Sequence, residues 1–133
     1  MNIKRILIVD DSPIERAFLS NLLSNAGYKC LQAESGEAGI HSAGMLHPDL
    51  ILMDVVMPGL DGYQATRALT RDKATQHIPV FMATSRGTET DQLWGRRQGA
   101  REYFVKPIDP EDLLAKIAKL KRWSHGPIQT AAS

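Results

Sequence analysis

Apolar residues gather in five short blocks along the chain: Ile6–Val9, Tyr28–Ala33, Leu50–Met53, Ile78–Ala83 and Tyr103–Val105. Runs such as Ile-Leu-Ile-Val and Leu-Ile-Leu-Met lack the polar alternation of a half-exposed strand and suit strands covered on both faces. Between the blocks the spacing becomes helical. Ser12-Pro13 reads as an N-cap with proline at the first helical position. Ile14, Phe18 and Leu22 then recur every four residues, with Leu19, Leu23 and Ala26 alongside, and Gly27 is placed to end the helix in a left-handed turn. Ser35 caps a second helix that His47-Pro48 closes. Asp61 caps a third, and Thr88 a fourth with Gly99 after it. Asp109-Pro110 opens a fifth, with Leu113, Leu114, Ile117 and Leu120 as its apolar stripe.

Strands alternating with helices imply a parallel sheet covered on both faces, joined by right-handed crossovers. Five such units predict an α/β, flavodoxin-like (βα)5 doubly wound fold with strand order 2-1-3-4-5. That order rests in part on the resemblance set out below. A chain of 133 residues suits one domain and buries a core without staples. The domain is expected over residues 1–123, with residues 124–133 a short flexible tail. The single cysteine, Cys30, excludes an internal disulfide and suits a reducing compartment. The first apolar block is too short for a signal-peptide core or a membrane span. A cytoplasmic protein without membrane insertion is therefore expected.

The net charge of +1 says little, but its distribution is uneven. Residues 1–62 carry eight acidic and four basic side chains, whereas residues 96–122 carry four acidic and eight basic. Two working surfaces, or simply a solvated basic helix face, would account for this. A nucleic-acid surface is not expected, because neither interleaved aromatics nor a binding motif accompanies the basic residues.

In an open parallel sheet, ligands bind beyond the carboxyl ends of the strands, where the order reverses. Asp10 and Asp11 follow the first predicted strand, Asp54 the third, Thr84 and Ser85 the fourth, and Lys106-Pro107 the fifth. The predicted order brings the three carboxylates to one crevice, with Thr84 and Lys106 opposite. Such a cluster survives when a divalent cation neutralises it, and all-oxygen ligands suit Mg2+. An ammonium and a hydroxyl facing the metal are what a transferred phosphoryl group requires. A carboxylate can serve as its acceptor, as an aspartyl phosphate. Singly, each residue also has a plain structural reading: Asp11 as a helix cap, Thr84 and Ser85 as loop caps, Lys106 as a surface lysine. Their joint placement at four strand ends favours the functional reading.

Ile-Val-Asp-Asp-Ser at 8–12, Leu-Met-Asp at 52–54, Met-Pro-Gly at 57–59, Asp-Gly at 61–62 and Lys-Pro at 106–107 resemble the receiver domain of bacterial response regulators. The resemblance runs from Ile6 to about Leu120. It implies that Asp54 accepts a phosphoryl group from a histidine kinase. It implies that Asp11, Asp54 and the backbone carbonyl of Val56 ligate Mg2+, with Asp10 acting through a metal-bound water. Lys106 and Thr84 would each meet a phosphoryl oxygen, and the Lys106-Pro107 bond would be cis. Tyr103 would be the aromatic switch residue, turning as Thr84 moves and altering the face made by the fourth helix, fifth strand and fifth helix. A downstream protein would read that face. The chain would be no enzyme beyond catalysing its own phosphorylation and dephosphorylation.

The segments 57–67 and 93–103 look like those of stand-alone regulators in the chemotaxis-like system of type IV pili and twitching motility. That likeness implies a chemotaxis-type kinase with histidine phosphotransfer domains. Val56 and Arg86 lie two residues after Asp54 and Thr84, and an apolar residue at 56 cannot orient water, so slow hydrolysis is expected. The roughly ten residues after the fifth helix are too few for a helix-turn-helix module. Output is then expected through a protein contact, phosphotransfer, or use as a phosphate sink.

Three other readings fit less well. A haloacid-dehalogenase-type phosphatase needs a second aspartate where Val56 stands, and no phosphate-binding glycine motif supports a nucleotide module. A phosphorylation-independent pseudo-receiver would not need the full acceptor set. His41, His47, His77 and His125 lack metal-ligand spacing. Trp94, on the fourth helix, is either packed or a partner anchor.

Overall fold

The computed structural model describes residues 2–123. The tail expected at 124–133 lies outside them. Five strands and five helices alternate: β1 Arg5–Val9, α1 Pro13–Asn25, β2 Lys29–Ala33, α2 Gly36–Leu46, β3 Leu50–Met53, α3 Gly62–Arg71, β4 Val80–Thr84, α4 Glu89–Gln98, β5 Glu102–Val105 and α5 Pro110–Trp123. The strands form one parallel sheet in the order β2-β1-β3-β4-β5. The expected flavodoxin-like fold is the fold observed.

Burial on both faces explains the unbroken apolar runs. Ile6, Ile8, Leu50, Leu52, Phe81 and Ala83 point to one side, where Leu19 and Leu23 of α1 and Leu113, Ile117 and Leu120 of α5 cover them. Leu7, Val9, Ile51, Met53 and Val80 point to the other, against Ala43 of α2 and Ala65 and Leu69 of α3. A smaller cluster of Val55, Met82, Ala100 and Tyr103 lies beneath α4.

The predicted caps are present. The side chains of Ser12, Ser35, Asp61 and Thr88 each accept a hydrogen bond from the backbone N–H three residues on. Asp61 and Thr88 complete reciprocal capping boxes with Gln64 and Asp91. Gly27 and Gly99 take the left-handed conformation that ends α1 and α4, and His47 does the same for α2.

Three expectations need correction. The fourth strand starts at Val80 rather than Ile78, because Pro79 has no N–H for the ladder. Tyr28 belongs to the turn before β2, its N–H bonded to the Leu23 carbonyl. The buried stripe of α1 is Leu19 and Leu23, whereas Ile14 is 81% and Phe18 47% exposed. The four-residue repeat of Ile14, Phe18 and Leu22 thus starts on the solvent side, and only Leu22 packs partly against the core.

Candidate functional site

Where the sheet reverses, β1 and β3 are hydrogen-bonded neighbours, with Val9 in register with Met53. The residues that follow those two strands therefore emerge side by side. Carboxylate oxygens of Asp10, Asp11 and Asp54 all lie within 4.8 Å of one another. Asp10 and Asp54 are buried and Asp11 is exposed, so the cluster opens to solvent on one side. The first turn of α3 abuts it: a Cβ on Gly62 would collide with the Asp54 carbonyl oxygen and come 2.7 Å from the Val55 Cα. Only glycine fits so close an approach.

Lys106 enters from β5. Its ammonium donates to Asp10 Oδ2 at 2.9 Å and stands 3.8 Å from Asp54 Oδ2 and 3.6 Å from Glu15 Oε2. The Lys106–Pro107 peptide is cis, as the resemblance implies. Asp10 is fixed further by the Ser12 N–H on Oδ1 at 2.9 Å, and its backbone carbonyl accepts from Arg16 at 2.6 Å. Asp54 Oδ1 accepts the Val55 N–H at 2.8 Å. Burial, then the Asp10 charge, push the Asp54 carboxyl above the ordinary range, although Lys106, the Val55 N–H and the Thr84 hydroxyl pull the other way. Burial acts against the Lys106 ammonium, but the Asp10 hydrogen bond and the surrounding carboxylates outweigh it and raise its pKa.

Three carboxylates and one ammonium leave a formal charge of −2. The donors are all oxygen, two are buried, and one face is open. This set fits a hard divalent cation that keeps some of its waters, as Mg2+ does. The Val56 side chain, two residues after Asp54, is half-exposed.

Thr84, fully buried at the end of β4, accepts the Arg86 N–H at 3.3 Å. Tyr103 lies on the adjacent strand, in register with Met82. Its ring is turned in and buried, and its hydroxyl donates to the Arg86 carbonyl at 2.6 Å. The Tyr63 hydroxyl stands 3.1 Å from that of Tyr103 and 3.3 Å from the Asp91 carbonyl. Arg86 makes a longer ion pair with Asp91 at 3.8 Å. On the outer side of α4, Leu93 and Trp94 are exposed, and Val105 of β5 is also exposed.

Every residue predicted for the site is thus at a strand end or close to one. Sequence reasoning missed Glu15, Arg16 and Tyr63. Glu15 and Arg16 are near Asp10 and Asp11 in sequence and would have been found by asking what the first turn of α1 presents to the crevice. Tyr63 carried no such signal, because its partner is 40 residues away.

Residues 6–118 match the response regulator receiver domain. The chain is 53% identical over 113 residues to Protein PilH of Pseudomonas aeruginosa, covering 85% of this chain and 93% of that one. It is 42% identical over 118 residues to the DNA-binding dual master transcriptional regulator RpaA of Synechocystis, but spans 49% of that protein's length. Its fold matches a crystallised chemotaxis protein CheY4 of Vibrio cholerae with a TM-score of 0.81 and 30% identity, over 88% of this chain and 98% of the other. With the strand order and the acidic crevice already in place, these matches establish that the chain belongs to the response regulator receiver domain family.

Proposed function

We propose that the chain is a stand-alone response regulator in which Asp54 accepts a phosphoryl group from a histidine kinase. The observation that carries this reading is the buried Asp54 carboxylate beside two further carboxylates, with the Lys106 ammonium 3.8 Å away. An Asp54 oxygen attacks the phosphorus of a phosphohistidine. A P–O bond forms, the P–N bond breaks, and the imidazole leaves to take up a proton.

Asp11, Asp54 and the Val56 carbonyl would hold Mg2+, and Asp10 would act through a metal-bound water. The ion supplies charge neutralisation for the carboxylates and the incoming phosphoryl oxygens. Lys106 exchanges its bond to Asp10 for a phosphoryl oxygen, and the Thr84 hydroxyl turns to another. Thr84 and Tyr103 both bond to the Arg86 backbone, so a movement of one bears on the other, which suits Tyr103 as the switch residue. The face of α4, β5 and α5, with exposed Leu93, Trp94 and Val105, is the surface a downstream protein would read.

Exposed Phe18 lines the opening with Lys106, Pro107 and Ile108, an apolar lip suited to the approach of a phosphodonor helix. The half-exposed, apolar Val56 offers nothing to orient an attacking water, so hydrolysis is slow. The likeness of segments 57–67 and 93–103 to stand-alone regulators of the type IV pilus system, together with 53% identity to Protein PilH, supports a place in pilus and twitching control, with a chemotaxis-type kinase bearing histidine phosphotransfer domains as donor.

The test is incubation with Mg2+ and acetyl phosphate, followed by mass measurement alongside Asp54→Asn. One phosphoryl group added to the wild type alone, and only with Mg2+, is the expected outcome. A wild type that gains no mass, even from a competent histidine kinase, would move the reading to a phosphorylation-independent binding module.

A further inference from the structure

Tyr103 is held in place by more than its own strand. Its hydroxyl carries one proton, and that proton goes to the Arg86 carbonyl at 2.6 Å. At the 3.1 Å contact between the two phenols the proton is then that of Tyr63, which has the Asp91 carbonyl at 3.3 Å as a second, longer acceptor. Tyr63 sits in the first turn of α3, directly after Gly62, the residue pressed against the Asp54 backbone. A continuous line thus runs from the Asp54 backbone through Gly62 and Tyr63 to Tyr103. It continues to Arg86, whose N–H is bonded to Thr84.

Gly95 gives a second, independent sign that the inward ring is built in. It lies within α4, where glycine is an unfavourable helix residue. A Cβ there would come 2.7 Å from Tyr103 Cε2 and 2.8 Å from Met82 Sδ. Those distances are too short for any side chain, so the missing Cβ is the space the ring occupies.

We propose that Tyr63, with the gap at Gly95, is a latch that positions Tyr103 in its inward state before any phosphoryl group arrives. The switch is then preset toward that state. The consequence for signalling rests on Asp54 being the acceptor and Tyr103 the switch. Through linkage, whatever holds the ring in also favours the phosphorylated form if that form prefers the inward ring.

The test uses the full chain labelled with 3-fluorotyrosine and 19F NMR. Its three tyrosines are few enough to assign by Tyr→Phe replacement. In metal-free protein, the inward-to-outward ratio of Tyr103 is expected to fall about 3- to 10-fold in Tyr63→Phe, the range for one lost neutral hydrogen bond. Gly95→Ala should also shift the ring outward, by collision instead of bond loss. Beryllofluoride with Mg2+ should restore the inward signal in Tyr63→Phe.

An unchanged ratio in Tyr63→Phe overturns the proposal, whatever Gly95→Ala does and whether or not the variant melts earlier. Failure of beryllofluoride to restore the signal, in a variant that binds it, overturns the link between latch and site. A wild type that binds no beryllofluoride with Mg2+ removes the acceptor reading instead, and the metal-free ratio still decides whether Tyr63 holds Tyr103.

Discussion

At the scale of single residues, Asp54 shows most plainly how the site is set against the fold. Its carboxyl is pushed above the ordinary range first by burial and then by the charge of Asp10. In the unfolded chain its pKa is about 3.9. The folded metal-free protein therefore binds the Asp54 proton more tightly than the unfolded chain does. Stability from this group falls as pH rises from about 4 to the elevated folded value, and stays low above it. Asp54→Asn keeps an oxygen to accept the Val55 N–H but removes the charge. The variant should be more stable than wild type at pH 7 in EDTA, with the gap closing toward pH 4. Urea midpoints across that range would show it, and a variant no more stable at pH 7 would contradict the strain assigned to Asp54. Lys106 is the counterpart. Its hydrogen bond to Asp10 spans 96 residues, so no local pattern could have shown it. The same holds for the contact between Tyr63 and Tyr103, which lie 40 residues apart.

At the scale of elements, helix ends were legible where burial was not. A cap is a bond between residues three apart, and Ser12, Ser35, Asp61 and Thr88 carry it within their own segments. The apolar residues of α1 surround too much of the helix to mark a single face. Packing against β1 and β2 chose Leu19 and Leu23 and left Ile14 in solvent. Leu19→Ala should cost about 2–5 kcal/mol of folding stability through lost burial and a residual cavity. Ile14→Ala should change it by no more than about 0.5 kcal/mol. Equal losses in chemical denaturation would mean that the buried face of α1 is misassigned.

At the scale of the whole molecule, the crevice exists because the sheet reverses between β1 and β3. That reversal places Asp10 and Asp11 beside Asp54, although 43 residues separate Asp11 from Asp54 in the chain. An unfolded chain has no such cluster, so an ion that needs all three carboxylates binds the folded form alone. Mg2+ at a hundred times its dissociation constant should then add about 2.7 kcal/mol to stability. Thermal melts with and without Mg2+ would show a rise in Tm for wild type and little or none for Asp11→Asn. A wild type indifferent to Mg2+ would remove the metal from the site.

The sequence alone determined the alternation of strands and helices, the caps, and the acidic, hydroxyl and lysine residues at strand ends. Each of these is written in local spacing: a run buried on both faces, a bond three residues long, or a break from apolar to charged. The strand order was readable only with the help of family likeness, since five alternating units are compatible with more than one arrangement. Tertiary structure decided the rest: Lys106 bonded to Asp10, the face α1 buries, and Tyr103 turned in beneath Gly95 with Tyr63 on its hydroxyl. These depend on distances between segments far apart in the chain, which the sheet sets and local spacing does not encode.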